Sequence, residues 1–79
     1  MDDCIKERNE AFLSLDRFKI EKYCIKYGIT MPHDDVAFWG RVHKTICNMY
    51  LIPENNVTEE QYERSKKWLI ENNFTKSIK

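Results

Sequence analysis

The segment from Met31 to Cys47 holds most of the side chains in this sequence that could do chemistry. His43 and Cys47 stand four residues apart, a spacing that lets two side chains of one helix reach a single zinc ion. His33 and Asp34 could add ligands from the preceding loop, and Asp34 with Asp35 could instead hold magnesium for phosphodiester chemistry. A bound metal, or a Cys47 thiolate activated by His43, would make this segment an active site.

The same residues are also explained without a metal or a reaction. Pro32 suits the approach to a helix, and Asp34 or Asp35 suits its N-cap, where a carboxylate accepts hydrogen bonds from unpaired backbone N–H groups. His43 and Cys47 lie at the edge of an apolar helix face, where burial accounts for both. The chain has no second closely spaced pair of Cys or His residues. The sequence therefore predicts a capped core helix, with no bound metal, no cofactor and no enzymatic activity.

Length and composition narrow the class of protein. The chain has 79 residues, 42% hydrophobic and 33% charged, with two glycines and two prolines, which favours a folded helical protein over a disordered one. At this length most apolar side chains are needed for one core, so we expect a single domain over residues 1–79 without a deep substrate pocket. Thirteen basic residues balance thirteen acidic ones, which leaves no net field to draw the protein onto nucleic acid.

Cysteine usage and the lack of long apolar runs predict a location in the cytoplasm. Cys4, Cys24 and Cys47 are odd in number and form no CxxC pair, which is typical of free thiols in a reducing compartment. Asp2 and Asp3 stand where a secretory signal would need positive charge. No stretch approaches the roughly 20 apolar residues of a membrane span, so we expect no membrane contact.

Periodicity and capping signals predict helices and no strand. The first helix runs from about Asp3 to Leu13. The second follows an N-cap at Asp16, ends at Gly28 and has an apolar face formed by Ile20, Tyr23, Cys24 and Tyr27. Phe18 and Ile25 form a second apolar strip on the same helix, so we expect this helix to lie between two neighbours.

The third helix, which begins at the segment described first, carries the strongest apolar pattern. Its wide apolar face leaves only Arg41, Lys44 and Asn48 as a polar stripe, and consists of Phe38, Trp39, Val42, Ile46, Met49 and Tyr50. A capping box at Thr58 predicts that a fourth helix begins at Glu59. We expect this helix to end near Asn72 and Asn73, with Phe74 folding back onto its last turn and a frayed tail from about residue 75. The predicted fold is all-α, a compact bundle of four helices with the third helix central.

Three groups of surface residues are candidates for binding. Lysines at positions 19, 22 and 26 share a sector of the second helix, and Arg41 and Lys44 share the polar stripe of the third. Together these two basic stripes suit a phosphate backbone or an acidic protein surface. The alternative is that both stripes are ordinary solvated faces. Trp68 lies to one side of the apolar face of the fourth helix, one turn after Arg64. Tryptophan and arginine are common in interface hot spots, but Trp68 could equally close the edge of the core. The candidate partner-binding residues are Lys19, Lys22, Lys26, Arg41, Lys44, Arg64 and Trp68.

The chain also resembles small helical proteins of phages and mobile elements of low-GC Gram-positive bacteria. The resemblance spans roughly residues 9–74 and is carried by Lys26-Tyr27-Gly28, Met31-Pro32, Asp35, Phe38-Trp39, Val42-His43-Lys44, Ser65, Trp68-Leu69, Glu71 and Phe74. It brings no catalytic residues. It implies a context in which short proteins often bind a host protein, with inhibitors of CRISPR nucleases as one common kind.

Two kinds of function follow as hypotheses. The first is stoichiometric binding of a host protein, such as a defence nuclease or its complex with nucleic acid, in the manner of an anti-CRISPR inhibitor. The second is direct nucleic-acid binding by the basic stripes of the second and third helices. Salt separates them, because backbone-driven nucleic-acid binding weakens steeply with salt while an aromatic protein interface persists.

Overall fold

The computed structural model describes residues 3–74, which form four α-helices and one short 3-10 helix without a strand. The elements are α1 (Asp3–Ser14), α2 (Arg17–Lys26), α3 (Asp35–Tyr50), the 3-10 helix (Pro53–Asn55) and α4 (Glu59–Glu71). The all-α prediction with four helices is confirmed. The predicted frayed tail lies outside the described residues. None of the helices within residues 3–74 is both long and apolar enough to cross a bilayer.

The chain divides into two compact units, Met1–Met31 and Pro32–Lys79. The first contains α1 and α2, and the second contains α3, the 3-10 helix and α4, with α3 in contact with both of its neighbours. The expectation of one domain across residues 1–79 stays a prediction.

In the first unit, a tight turn joins α1 to α2. Leu15 adopts a left-handed conformation with φ of 56°, which residues other than glycine and asparagine rarely do. Asp16 then caps α2, since its carboxylate accepts hydrogen bonds from the backbone N–H groups of Phe18 at 3.0 Å and Lys19 at 3.4 Å. The predicted N-cap is confirmed, whereas nothing in the sequence marked Leu15 as a turn residue.

The core of the first unit contains three of the four residues that periodicity predicts for the apolar face of α2, whereas the fourth, Tyr27, is 36% exposed. Phe12 on α1 packs edge-on against Tyr23, with ring centroids 6.0 Å apart, and Ile20 and Cys24 are buried beside them. The helix ends in a left-handed Gly28, where the N–H of Ile29 donates to the carbonyl of Cys24 at 2.8 Å. The predicted glycine cap is therefore also confirmed.

In the second unit, Asp34 is the N-cap of α3, and its carboxylate accepts a hydrogen bond from the N–H of Ala37 at 3.0 Å. The predicted N-cap is confirmed, and of the two candidates, Asp34 and Asp35, it is Asp34. Trp39 and Tyr50, at the margins of its predicted apolar face, are half-buried, while the other four residues are buried, namely Phe38, Val42, Ile46 and Met49. Helix α4 begins with the predicted capping box at Thr58 and buries Leu69.

Two local features complete the second unit. Between α3 and α4, residues Pro53–Asn55 form the 3-10 helix, and the buried side-chain amide of Asn55 donates to the carbonyl of Met49 at 3.1 Å. After α4, Asn73 is left-handed and the N–H of Phe74 donates to the carbonyl of Leu69 at 2.7 Å. This cap turns Phe74 back over Gly40 of α3, where an added Cβ would lie 2.7 Å from the ring.

Candidate binding surfaces

The three predicted lysines of α2 lie along an open groove of about 570 Å³ within the first unit. The groove also has acidic side chains from α1, so its walls carry both signs of charge; the lining residues are Glu7, Glu10, Ala11, Lys19, Lys22, Tyr23 and Lys26. The structure therefore brings the lysines of this stripe together, but it places them opposite carboxylates. Only part of their charge is left to act on a partner.

Lys26 is the most strongly engaged of these lysines. Its ammonium group lies 3.0 Å from a carboxylate oxygen of Glu7, and the phenol of Tyr27 donates to the other Glu7 oxygen at 2.5 Å. The Tyr27 hydrogen bond and then the Lys26 hydrogen bond lower the pKa of Glu7, while Glu7 raises the pKa of both Lys26 and Tyr27. This triad holds α2 against α1, so Lys26 makes a structural contact in addition to the partner-binding role that was predicted for it.

The second apolar strip of α2, formed by Phe18 and Ile25, is solvent-exposed. The exposed fractions are 73% for Phe18 and 81% for Ile25, so the expectation that α2 buries both of its apolar strips was wrong. At about 100° per residue, positions 18 and 25 share one side of the helix, opposite the buried Ile20 and Tyr23. Periodicity identified the strip correctly but could not show whether anything covers it.

The basic stripe of α3 borders a second, separate groove of about 360 Å³. Arg41 is exposed and Lys44 is half-buried, and both line the groove together with Pro32, Ala37, Thr45, Asn48 and Phe74. Within residues 3–74 neither cation has an ion-pair partner. This contrasts with Lys26, which is tied to Glu7.

Trp68 belongs to a stack of aromatic rings in the second unit. Its ring lies 4.8 Å from the ring of His43 and 5.8 Å from that of Phe74, centroid to centroid, and is stacked with both. Arg64 is exposed. The stack gives Trp68 a packing role between α3 and the end of α4, and its role as an interface anchor stays a prediction.

His43, one of the two side chains first considered for zinc, is buried with 5% of its surface exposed. Its Nδ1 shares a 2.9 Å hydrogen bond with the hydroxyl of Ser65 on α4, and burial lowers its pKa to about 4. The neutral ring therefore serves as a polar contact between two packed helices. No spacing rule connects position 43 to position 65, so this pair could not be predicted from the sequence.

Cys47 is buried as well, and burial raises the pKa of its thiol, which disfavours the nucleophilic thiolate. In the first unit, burial and then a contact with the Cys4 thiol at 3.6 Å raise the pKa of Tyr23 to about 12. Among residues 3–74, no three His, Cys, Asp or Glu side chains come close enough together to hold a metal ion. The predictions of no metal, no cofactor and no catalysis remain predictions.

Two contributors to these surfaces had weak signals in the sequence. Gly40 stands inside a helix of otherwise bulky residues, and a glycine at such a position often marks a close approach by another group. The group that approaches is Phe74, which the predicted fold-back of the chain placed near α4 but not on α3. The Glu7 and Tyr27 contact had no recognisable pattern.

Comparison of the chain with protein-family models, with curated proteins and with solved structures finds no match.

Proposed function

We propose that this protein acts by stoichiometric binding of another protein. The contact surface is the second apolar strip of α2, formed by Phe18 and Ile25 and called the outer strip from here on. The observation that carries the proposal is the exposure of Phe18 and Ile25 on the side of α2 opposite its buried face. A large aromatic and a branched aliphatic side chain on one helix face are typical anchors for a partner's apolar surface. Burial of these two side chains would contribute about 2 kcal/mol each, enough to dominate a small interface.

The charges beside the strip indicate the chemistry of the partner. Lys22 lies between Phe18 and Ile25 along the helix and is exposed, whereas Glu21 on the other flank is paired with Arg17 at 3.0 Å. The available charge at this face is therefore positive. A partner with an apolar patch bordered by carboxylates fits best.

The resemblance to phage and mobile-element proteins directs the proposal to host proteins, and first to nucleases of host defence systems. Inhibition of such a nuclease would saturate at a fixed ratio of chains to enzyme. Direct nucleic-acid binding is disfavoured by the net charge of zero and by the Glu7 carboxylate opposite Lys26.

A photocrosslinking experiment tests the contact surface. The crosslinking residue p-benzoylphenylalanine replaces Phe18 in one variant and Leu51 in a control variant, because Leu51 is exposed to a nearly equal extent, 74%. In lysate of a low-GC Gram-positive host, we expect a discrete protein adduct from position 18 and none from position 51. The adduct should still form when the lysate is irradiated at moderate salt and after nuclease treatment.

The competition arm uses unlabelled protein and two variants. The parent chain and the Leu51→Ser control are expected to suppress the adduct, while a Phe18→Ser, Ile25→Ser double variant is not, with helicity unchanged by circular dichroism. The same three proteins are then added to a cleavage assay of any nuclease recovered. Equal crosslinking from both positions, or no adduct when the lysate is digested with nuclease before irradiation, would refute protein binding through α2.

A further inference from the structure

The groove along α3 combines two cations with an aromatic wall. Arg41 and Lys44 lie three residues apart and so share one side of the helix, less than one turn from each other. With about 360 Å³, the groove is at the small end of sites that take a ligand, and has room for one or two side chains but not for a large cofactor.

The charge of the groove is not balanced by an ion pair among the described residues. No ion pair involves Arg41 or Lys44 within the described range 3–74, although the chain as a whole has as many acidic as basic residues. Asn48 and Thr45 extend the lining with neutral polar groups, and the Thr45 hydroxyl already donates to the carbonyl of Arg41 at 2.8 Å. The Asn48 amide can both donate to and accept from a peptide backbone.

The aromatic wall is held in place from two directions. The left-handed conformation of Asn73 and the 2.7 Å hydrogen bond from the Phe74 N–H to Leu69 fix the backbone of Phe74. Gly40 leaves space on α3 for the ring, which is half-buried and lines the groove. Phe74 thus offers part of an apolar surface next to the two cations.

We propose that the α3 groove is a second binding site, which takes an acidic segment of a protein chain. A carboxylate of the segment pairs with Arg41 and Lys44, where the planar guanidinium allows a bidentate contact, and a neighbouring apolar side chain packs on Phe74. Two cations on a neutral protein are too few for nucleic-acid binding, which gains its affinity from many phosphate contacts. This site is independent of the outer strip of α2.

A random-peptide display library is the probe. Selection on the parent protein is expected to enrich peptides with Asp or Glu next to Leu, Ile or Phe, and an Arg41→Glu, Lys44→Glu variant is expected to lose this enrichment. A Lys6→Glu, Lys67→Glu variant carries the same change in charge at two exposed positions outside both candidate surfaces and should retain it. The enriched peptide is then titrated into ¹⁵N-labelled protein, where shifted amide signals should map to residues 37–48 and 74.

The affinity of the enriched peptide is expected to fall about tenfold or more in the Arg41→Glu, Lys44→Glu variant, and to fall less in the Lys6→Glu, Lys67→Glu control. Phe74→Leu, which keeps an apolar side chain, should retain part of the binding that Phe74→Ala loses. Enrichment of basic peptides, no enrichment, equal loss in both charge-reversed variants, or stronger shifts with a short oligothymidylate would each overturn the proposal. Crosslinking from position 18 is unaffected by any of these outcomes, so the two proposals fail separately.

Discussion

Acidification from about pH 7.5 to about pH 5 is expected to destabilise this protein through one side chain, His43. The ordinary pKa of a histidine is 6.5, and burial against α4 lowers that of His43 to about 4 in the folded chain. Between these two values the unfolded chain takes up a proton that the folded chain does not. The stabilising contribution is therefore complete above pH 6.5 and is lost as the pH falls towards 4.

The size of the loss follows from the two pKa values. At about pH 5 it amounts to about 2 kcal/mol, and it approaches about 3 kcal/mol where both states are protonated. A chain of 79 residues has only several kcal/mol of stability in total, so this loss is a large share. Glu7 does not contribute in this window, because its pKa is lowered from 4.5 and its contribution disappears only at more acidic pH.

Urea unfolding at the two pH values measures the effect. The parent and a His33→Gln control, which changes an exposed histidine, should both lose about 2 kcal/mol, while His43→Gln should show a much flatter pH dependence. Glutamine keeps a polar group that can reach Ser65 but cannot be protonated in this range. If the His43→Gln variant loses as much stability as the parent, the argument from burial is refuted.

Three further substitutions test local features of the fold. Gly28→Ala should cost about 1 kcal/mol in urea melts and Gly28→Asn less, because φ is 68° while an added Cβ meets no atom within 4 Å; no difference from the parent would contradict the left-handed cap. Gly40→Ala should raise the free energy of unfolding by about 1 kcal/mol in a Phe74→Ala background, because alanine favours the helix, and by less when Phe74 is present. If the two substitutions are additive in this double-mutant cycle, the ring does not lie on Gly40. Thr58→Ala should lower stability by about 1 kcal/mol and Thr58→Ser by much less, as judged by thermal melts; equal melting temperatures would exclude a stabilising capping box.

Helix boundaries were predictable because their signals are local. Asp16, Asp34 and Thr58 each accept a hydrogen bond from an N–H two or three residues ahead, and Gly28 supplies the conformation that ends α2. The exception is Leu15, where a residue with no turn preference adopts a left-handed conformation between two short helices. No local sequence signal specifies that position.

The candidate surfaces were less predictable because they depend on contacts between distant positions. The basic stripes were correctly grouped, but only the packing of α1 on α2 showed that Glu7 neutralises Lys26, and only the cap after α4 placed Phe74 beside Arg41. Periodicity gave both strips of α2 equal weight, and their exposure separates them. A repeat of apolar residues reports which side chains share a face, and not what covers that face.

The short turn through Leu15 and Asp16 has a consequence for synthesis on the ribosome. Since α1 and α2 are adjacent in sequence, closing the loop between them costs little entropy, and helical pairs of this kind form in microseconds to milliseconds. Translation of residues 32–79 takes on the order of seconds. The helical hairpin therefore has time to form and reopen many times while the rest of the chain is still being made.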